Sequence, residues 1–326
     1  MDQTANGILL VDKAEGWTSH DVVAKARRAL GTRKIGHAGT LDPMATGLLV
    51  LGVGPATRLL THLVGLDKTY LATIRLGWGT VTDDREGPAL DRRDDERAEV
   101  SRRIAELASH PAPVFAAANA LTGAIEQVPS AVSAIKVDGR RAYDRVRAGE
   151  QLELKSRPVT VHAFELDAPR SVSAVGSPVE ALDVDATVRC SSGTYVRALA
   201  RDLGASLGVG GHLTALRRTT VGPFAVEGAV TVEALAAGEV DAAALLAPAD
   251  VAAKLFPVLD LTPQEAVDLG HGKRLQFDPA TLADAELAAA IAPSGRLVGL
   301  VRVRNGRTRV VTNFPTPDAP QNGDPQ

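Results

Sequence analysis

Residues 36 to 49 read G-H-A-G-T-L-D-P-M-A-T-G-L-L, and they are the most informative stretch of the chain. Its glycines permit backbone conformations that other residues resist, and Pro43 fixes one φ angle at about −65° directly after Asp42. The apolar run at residues 48 to 54, L-L-V-L-G-V-G, has the length and boundaries of a buried strand. The pattern predicts a rigid strand behind a shaped loop that presents Asp42 as a nucleophile or a base. The alternative is an ordinary Asp-Pro turn without chemistry.

The composition is typical of a soluble globular protein. The 326 residues suffice for one large domain and one small one, and 45% of them are apolar and 23% charged. The single cysteine, Cys190, excludes an internal disulfide and favours a reducing compartment. Neither this cysteine nor the seven histidines show the spacing of a metal site, so we expect no structural metal.

The N-terminus and the charge bear on location and partners. The first residues lack the basic and apolar regions of a signal peptide, and no apolar stretch is long enough to span a membrane, so we expect a cytoplasmic protein. The net charge of −3 argues mildly against a nucleic-acid partner. The distribution of charge nevertheless leaves a basic cleft open. Basic residues gather at Lys25, Arg27, Arg28, Arg33, Lys34, Lys136, Arg140, Arg141, Arg145 and Arg147.

The first part of the chain is interpreted as strands alternating with helices. Residues 7 to 13 predict a short buried strand. A helix follows, with Thr18 and Ser19 as candidates for its N-cap and Gly31 as its predicted stop. Residues 67 to 77 alternate cleanly and predict a strand with Tyr70 on its apolar face.

Two short patterns in this part have simple interpretations. The pair Gly52-x-Gly54 before a helix would fit dinucleotide binding, but the third glycine of that motif is absent and a tight turn explains the pair. The segment T-D-D-R-E-G at residues 82 to 87 is predicted to be a turn.

The later part of the chain contains a basic segment and a strand-to-helix turn. Residues 127 to 150 predict a short strand, a turn and a basic helix, which would form either a binding surface or a solvated helix face. Residues 190 to 204 pass from a strand through a Ser-Ser-Gly-Thr turn into a helix with Tyr195 and Arg197.

The C-terminal part predicts a separate small unit at residues 254 to 314. Its strongest signal is a hairpin about Asn305-Gly306, where two alternating strands meet. The tail at residues 315 to 326 is rich in proline and polar residues, and we expect it to be disordered.

The candidate chemistry centres on Asp42 and a few scarce side chains. An aspartate nucleophile must be ionised and aimed, and the planar fork of an arginine such as Arg197 would do both, although an exposed helix residue is the alternative. Tyr70 and Tyr195 are two of only three tyrosines. They would stack an unpaired base in a nucleic-acid enzyme or simply pack in the core.

The sequences of several segments resemble those of the TruB family, the bacterial tRNA pseudouridine-55 synthases. The Asp42 loop fits the family pattern without departure, and the other similar blocks follow in the family's order through about residue 224. These blocks are G-I-L-L-V-D-K, L-D-K-T-Y-L-A-T-I-R-L-G, T-D-D-R-E-G, Q-V-P-S-A-V-S-A-I-K-V-D-G-R-R-A-Y, C-S-S-G-T-Y-V-R and L-R-R.

The resemblance implies an α+β pseudouridine-synthase fold with a mainly antiparallel central sheet. The catalytic domain would span residues 1 to 250, and a small β-rich, PUA-like domain would span residues 254 to 314. Residues 315 to 326 would form the tail.

The resemblance also implies the reaction and the residue roles. The enzyme would flip uridine-55 out of the tRNA T-loop and isomerise it to pseudouridine by attack of Asp42. Tyr70 would stack on the base and serve as candidate base, and Arg197 would pair with Asp42. The substrate-binding residues would be His37, Tyr195, Leu216, Lys136, Arg140 and Arg141.

The partners implied are few. The basic segment at residues 127 to 150 would hold the T-arm of tRNA, and the reaction needs no cofactor or metal because the product is an isomer of the substrate. We expect a monomer that works without a guide RNA or an obligatory protein partner.

Three other functions fit some of these features. An RNA-binding protein or chaperone would have the same basic surfaces with Asp42 incidental. A guide-dependent pseudouridine synthase would share the Asp loop but would need a long basic extension, which is absent. A glycosidase-like or nucleotide-binding enzyme would need a second carboxylate facing Asp42 or a complete phosphate loop.

Overall fold

The computed structural model describes residues 5–130, 136–137, 140–141, 155–173, 180–278 and 283–315. The strands within these residues are β1 (Gly7–Lys13), β2 (Ile35–His37), β3 (Thr46–Val53), β4 (Lys68–Leu76), β5 (Gly123–Gln127), β6 (Lys136–Val137), β7 (Arg140–Arg141), β8 (Arg157–Leu166), β9 (Arg170–Val172), β10 (Ala181–Cys190), β11 (Gly211–Val221), β12 (Phe224–Ala225), β13 (Val230–Thr231), β14 (Val258–Asp260), β15 (Ala285–Ile291), β16 (Leu297–Arg304) and β17 (Arg307–Asn313). The α-helices are α1 (Ser19–Ala29), α2 (Leu60–Val64), α3 (Asp94–Ser109), α4 (Ala112–Ala120), α5 (Val196–Ser206), α6 (Val232–Ala237), α7 (Pro248–Leu255) and α8 (Pro263–Gly270).

The chain divides into two compact units that are not continuous in sequence. The first unit comprises Met1–Asp42, Leu48–Val64 and Ala225–Gln326, and the second comprises Pro43–Gly47 and Gly65–Phe224. The predicted boundary near residue 250 stays a prediction.

The second unit is built on an antiparallel sheet. Its strands follow the order β11-β4-β10-β8-β5, with β9 paired to β10 and β12 paired to β11. Strand β4 alternates as predicted, because Tyr70, Ala72, Ile74 and Leu76 are buried while Leu71 is 48% exposed. Helix α5 packs against β11. The predicted α+β class with a mainly antiparallel sheet is confirmed.

The first unit contains the N-terminal strands and the start of the Asp42 loop. Strand β1 pairs with β13 in parallel, and β2 pairs with β3 in the antiparallel sense. Helix α1 begins where the sequence predicted, since the Thr18 hydroxyl accepts from the Asp21 amide and the Asp21 carboxylate accepts from the Thr18 amide. The helix ends next to Gly31, whose φ of +61° suits a glycine.

A separate small sheet lies in the C-terminal part of the first unit. Its strands follow the order β14-β15-β16-β17 around a core of its own that includes Leu269, Val298 and Val301. The predicted hairpin is confirmed, because β16 and β17 meet at Asn305 and Gly306, which have φ angles of 48° and 69°. Helix α8 is capped by Thr262, which completes a small β-rich unit of the predicted kind.

Cys190 ends the strand β10 and is 1% exposed. Burial raises the pKa of its thiol to about 11. Of the helices that the structure describes, none combines the length and the apolar character that a bilayer crossing requires. The predicted basic helix after Arg141 and the tail from residue 316 lie outside the described residues.

Candidate active site

The Asp42 loop is fixed on its N-terminal side by helix α1. The Ser19 hydroxyl donates to the carbonyl of Leu41 at 3.1 Å and accepts from the Leu41 amide at 2.9 Å. The Ala38 amide donates to Val50 of β3 at 2.9 Å. The backbone immediately before Asp42 is therefore held by a buried side chain 22 positions earlier, which is more than an ordinary turn provides.

The C-terminal side of the loop depends on Gly47. This residue has a φ of +98°, and a Cβ atom added to it would lie 2.2 Å from the carbonyl oxygen of Arg218. Thr46 and Gly47 begin β3 two residues earlier than the predicted strand, because they pair in parallel with Arg217 and Arg218 of β11. A partner strand this distant in sequence gives no local signal.

His37 lies at the end of β2, opposite Leu51 of β3. Its ring meets the ring of His20 edge to face at a centroid distance of 6.0 Å. The sequence suggested a loop at Gly36 and His37, whereas the structure shows a short strand, because pairing with β3 extends this segment. His37 is thus placed on the same β2–β3 ribbon that carries the Asp42 loop.

Tyr70 and Leu216 are neighbours on the buried face of the second unit's sheet. Tyr70 of β4 lies opposite Arg218, and Ala72 lies opposite Leu216, so Tyr70 and Leu216 are diagonal partners on adjacent strands. Tyr70 is 8% exposed and Leu216 is 7% exposed. The structure therefore brings together two of the residues singled out in the sequence.

Arg197 lies in the first turn of α5 and is 4% exposed, so the interpretation as a surface helix residue is wrong. Its Nη1 donates to the carbonyl of Thr82 at 2.9 Å and to Oδ2 of Asp84 at 3.1 Å. The predicted pairing of Arg197 with Asp42 stays a prediction. Two acceptors on one nitrogen restrict the rotation of the guanidinium.

Asp84 is the functional candidate that the sequence reasoning missed. Its side chain is 4% exposed, and its Oδ1 accepts from the Thr82 hydroxyl at 2.6 Å and from the Glu86 amide at 3.0 Å. The segment at residues 82 to 87 is a turn, as predicted, and it places the carboxylate of Asp84 on the guanidinium of Arg197. Two consecutive aspartates after a strand were the available signal.

Asp83, the other aspartate of this turn, also links the turn to the neighbouring elements. It has a φ of 60°, and its carbonyl accepts from the Leu213 amide at 3.0 Å. Its carboxylate pairs with Arg201 of α5 at 3.2 Å, and burial raises its pKa. Adjacent carboxylates thus hold two arginines on successive turns of one helix.

Tyr195 is the N-cap of α5 and is fixed through its main chain. Gln127, which is fully buried, donates to the Tyr195 carbonyl at 3.1 Å and accepts from its amide at 2.8 Å. The guanidinium carbon of Arg157 lies 4.7 Å from the centre of the tyrosine ring. The Nε and Nη2 atoms of Arg157 are buried, and neither finds a hydrogen-bond acceptor among the residues that the structure describes. Arg157 and Gln127 were also missed.

Lys68 is another buried cation of the second unit, together with Arg197 and Arg218. Its ammonium donates to the carbonyl of Leu66 at 2.5 Å. Burial, and then the positive charge of Arg218, lower its pKa to about 8.

The other predicted residues are only partly described. Lys136 lies in β6, and Arg140 and Arg141 form β7, which pairs with β6. Their side chains lie outside the description. Across residues 5–130, 155–173, 180–278 and 283–315, no three His, Cys, Asp or Glu side chains converge as ligands of a metal would.

Comparison with protein families gives matches across most of the chain. The model of the TruB family pseudouridylate synthase N-terminal domain matches residues 27–196. The model of the tRNA pseudouridylate synthase B C-terminal domain matches residues 197–254, and that of the tRNA pseudouridine synthase II C-terminal domain matches residues 256–315.

Individual relatives match over nearly the whole length. The tRNA pseudouridine synthase B of Leifsonia xyli subsp. xyli is 55% identical and covers 97% of this chain and 98% of its own. The protein of the same name from Thermobifida fusca is 52% identical over 95% of this chain and 99% of its own.

Two solved structures share the fold at low identity. A chain of the H/ACA RNP bound to a substrate RNA containing 2′-deoxyuridine has a TM-score of 0.63 and 22% identity, over 97% of this chain and 87% of that chain. A chain of a Cbf5–Nop10–Gar1 complex has a TM-score of 0.65 and 23% identity over the same shares. These likenesses show the fold alone.

Proposed function

The chain belongs to the TruB family of pseudouridylate synthases, and we propose that it isomerises uridine-55 in the T-loop of tRNA to pseudouridine. The observation that carries the proposal is full-length identity of about half to proteins named tRNA pseudouridine synthase B, together with an intact Asp42 loop. The reaction moves the glycosidic bond from N1 to C5 of one uracil.

Asp42 is the proposed nucleophile. Its carboxylate attacks C1′ of the ribose, the N1–C1′ bond breaks, and the uracil leaves as an anion. The base rotates, C5 bonds to C1′, and the bond to Asp42 breaks. C5 then gives up its proton and N1 gains one, so atoms and electrons balance without a cofactor or metal. Attack of Asp42 on the base is the other route by which the same product would form.

Arg197 and Tyr70 are proposed to serve this step. Arg197 would pair with Asp42 and keep its carboxylate ionised and aimed, and its link to Asp84 limits the orientations open to the guanidinium. Tyr70 would stack on the base and accept the C5 proton, directly or through water. Leu216 is its diagonal neighbour and would line the same pocket wall.

Substrate binding needs the target base outside the T-loop stack, at a cost of a few kcal/mol. His37 and Tyr195 would contact the flipped region, and Lys136, Arg140 and Arg141 would hold the T-arm through its phosphates. Arg157, stacked on Tyr195 with two buried N–H groups, is a further candidate for a substrate oxygen. We propose that no guide RNA or obligatory protein partner takes part.

The first experiment measures tritium release from an unmodified tRNA transcript labelled at uridine C5. We expect the purified protein to liberate close to one equivalent without added cofactor, and we expect Asp42→Asn and a transcript with cytidine at position 55 to abolish release. Salt-sensitive tRNA binding without any release would favour an RNA chaperone instead. Absence of both would overturn the proposal.

A further inference from the structure

Four basic side chains form an exposed cluster at the end of α1 and in the link to β2. We call Arg27, Arg28, Arg33 and Lys34 the α1 basic patch. Arg27, Arg28 and Arg33 line a surface depression of about 730 Å³ together with Gly31 and Thr32. All four residues of the patch are exposed. The roles proposed above for the active site and the 127–150 segment do not use them.

The patch differs from other arginine-rich surfaces because it has no internal counter-ions. Within the described ranges, none of its four cations lies in an ion pair with a carboxylate. Helix α3 shows the contrast, since Arg97, Arg102 and Arg103 each pair with an acid of the same helix. On a chain of net charge −3, unneutralised cations on one surface indicate an anionic partner.

The helix dipole explains only half of the patch. Arg27 and Arg28 lie in the last turn of α1, where positive charge is favourable. Arg33 and Lys34 lie beyond the helix and gain little there, because the effect is confined to the last turn. A further reason is needed for these two residues.

The backbone of the patch is firmly held next to the Asp42 loop. Arg27 donates through Nη2 to the carbonyl of Ile35 at 3.1 Å, and the carbonyl of Lys34 accepts from the Gly54 amide at 2.8 Å. Strand β2 then leads directly from Lys34 into the loop. Lys34 and Asp42 are eight positions apart in the chain, so their Cα atoms are at most roughly 28 Å apart.

From these observations we propose that the α1 basic patch binds backbone phosphates of the tRNA substrate, as a contact surface additional to the 127–150 segment. This inference rests on the proposed function, because it takes the RNA that the active site modifies as the occupant. Such contacts are independent of sequence and release counter-ions, so they position the substrate and make its binding sensitive to salt.

The test compares two variants that each remove three charges. The patch variant is Arg28→Gln/Arg33→Gln/Lys34→Gln, which leaves Arg27 because of its contact with Ile35. The matched control is Arg97→Gln/Arg102→Gln/Arg103→Gln on α3. For each protein, the Kd for unmodified tRNA is measured over a series of KCl concentrations, and kcat and KM are measured by tritium release.

We expect the patch variant to flatten the plot of log Kd against log salt by about 2 to 3 in slope, since each phosphate contact contributes about 0.7 to 0.9. Its Kd and KM at low salt should rise at least about tenfold, while kcat at saturating tRNA stays unchanged. The control should keep the wild-type slope within about 0.5.

Equal slopes and Kd values for the patch and control variants would overturn this inference, while wild-type tritium release would leave the proposed function standing. If the wild type binds tRNA but releases no tritium, the proposed function is contradicted. The slopes of log Kd against log salt would still test the role of the α1 basic patch. If the triple variant does not fold by circular dichroism, Arg33→Gln and Lys34→Gln are tested singly, each with an expected slope change of about 1.

Discussion

Among single residues, Arg197 and Asp84 form a buried ion pair that restricts the position of the Arg197 guanidinium. Both side chains are almost inaccessible, and the carboxylate also accepts from Thr82 and Glu86. A buried carboxylate with this many donors is fixed in place, and removing its charge leaves the guanidinium poorly held. If Arg197 acts on Asp42 as proposed, Asp84 is a positioning residue that acts through Arg197.

The first prediction concerns Asp84→Asn. We expect kcat for tritium release to fall at least about tenfold, which corresponds to about 1.4 kcal/mol in the barrier, while the Kd for tRNA changes little. Asp83→Asn is the matched control, because it removes a neighbouring carboxylate whose partner Arg201 is 29% exposed. Its kcat should stay within about threefold of wild type. Wild-type kcat in Asp84→Asn would refute the positioning role.

The second prediction concerns the pH dependence of stability at Lys68. Burial lowers the pKa of this ammonium from 10.5 to about 8 in the folded chain. Between these values the unfolded chain binds a proton that the native state lacks, so a rise in pH through this window stabilises the native state. The gain is at most about 3 kcal/mol.

Urea unfolding of the wild type and Lys68→Met at about pH 7.5 and about pH 10 isolates this contribution. The difference in unfolding free energy, wild type minus variant, should increase toward the higher pH. A difference that stays constant would show that Lys68 keeps its ordinary pKa in the folded protein.

Some of the candidate site residues were predictable from the sequence, because the signal for them lies in neighbouring residues. The loop around Asp42 and the alternation around Tyr70 leave their signal within a dozen positions. The pairing of Arg197 with Asp84 spans 113 positions, and that of Gln127 with Tyr195 spans 68. No local pattern records such contacts, so Asp84, Gln127 and Arg157 emerged only from the fold.

Among the elements, the beginning of β3 is expected to tolerate substitution poorly, because Gly47 lies against the backbone of Arg218. The Gly47→Ala variant would place a Cβ atom 2.2 Å from the Arg218 carbonyl at a backbone φ of +98°. We expect a loss of roughly 2 to 5 kcal/mol in unfolding free energy, from backbone strain and overpacking together.

Gly16→Ala provides the control for Gly47→Ala. Gly16 has a φ of +81°, but an added Cβ would meet no atom within 4 Å, so only backbone strain of about 1 kcal/mol remains. Urea unfolding of both variants gives the comparison. Equal losses would mean that the approach of Arg218 contributes nothing to the intolerance of position 47.

Elements with strong local signals were predicted well. Strand β1, helix α1 with its Thr18 cap, strand β4 and the β16–β17 hairpin all lie where the sequence placed them. Strand β2 was missed and β3 begins earlier than expected, because both depend on pairing with distant strands. Pairing of this kind is decided by tertiary structure and not by propensity.

In the molecule as a whole, the two compact units do not correspond to two consecutive parts of the sequence. The first unit collects three separate segments, and its C-terminal segment begins at Ala225. In the sequence, the only sign of a connector is an alanine-rich stretch at about residues 225 to 253. Net charge is equally uninformative. Acids on α3 neutralise their own arginines, whereas the α1 basic patch has no ion pair with any carboxylate that the structure describes.

The single cysteine, Cys190, is a natural chemical probe for local opening of the antiparallel sheet. It is buried at the end of a strand in the middle of the antiparallel sheet, and its pKa of about 11 keeps it protonated at neutral pH. Alkylation requires the thiolate, which attacks the reagent as a nucleophile, so labelling at neutral pH must wait for the sheet to open. The rate of labelling therefore measures how often the sheet opens at Cys190, without any engineered probe. A lower rate in the presence of RNA would show that bound RNA stabilises the closed sheet.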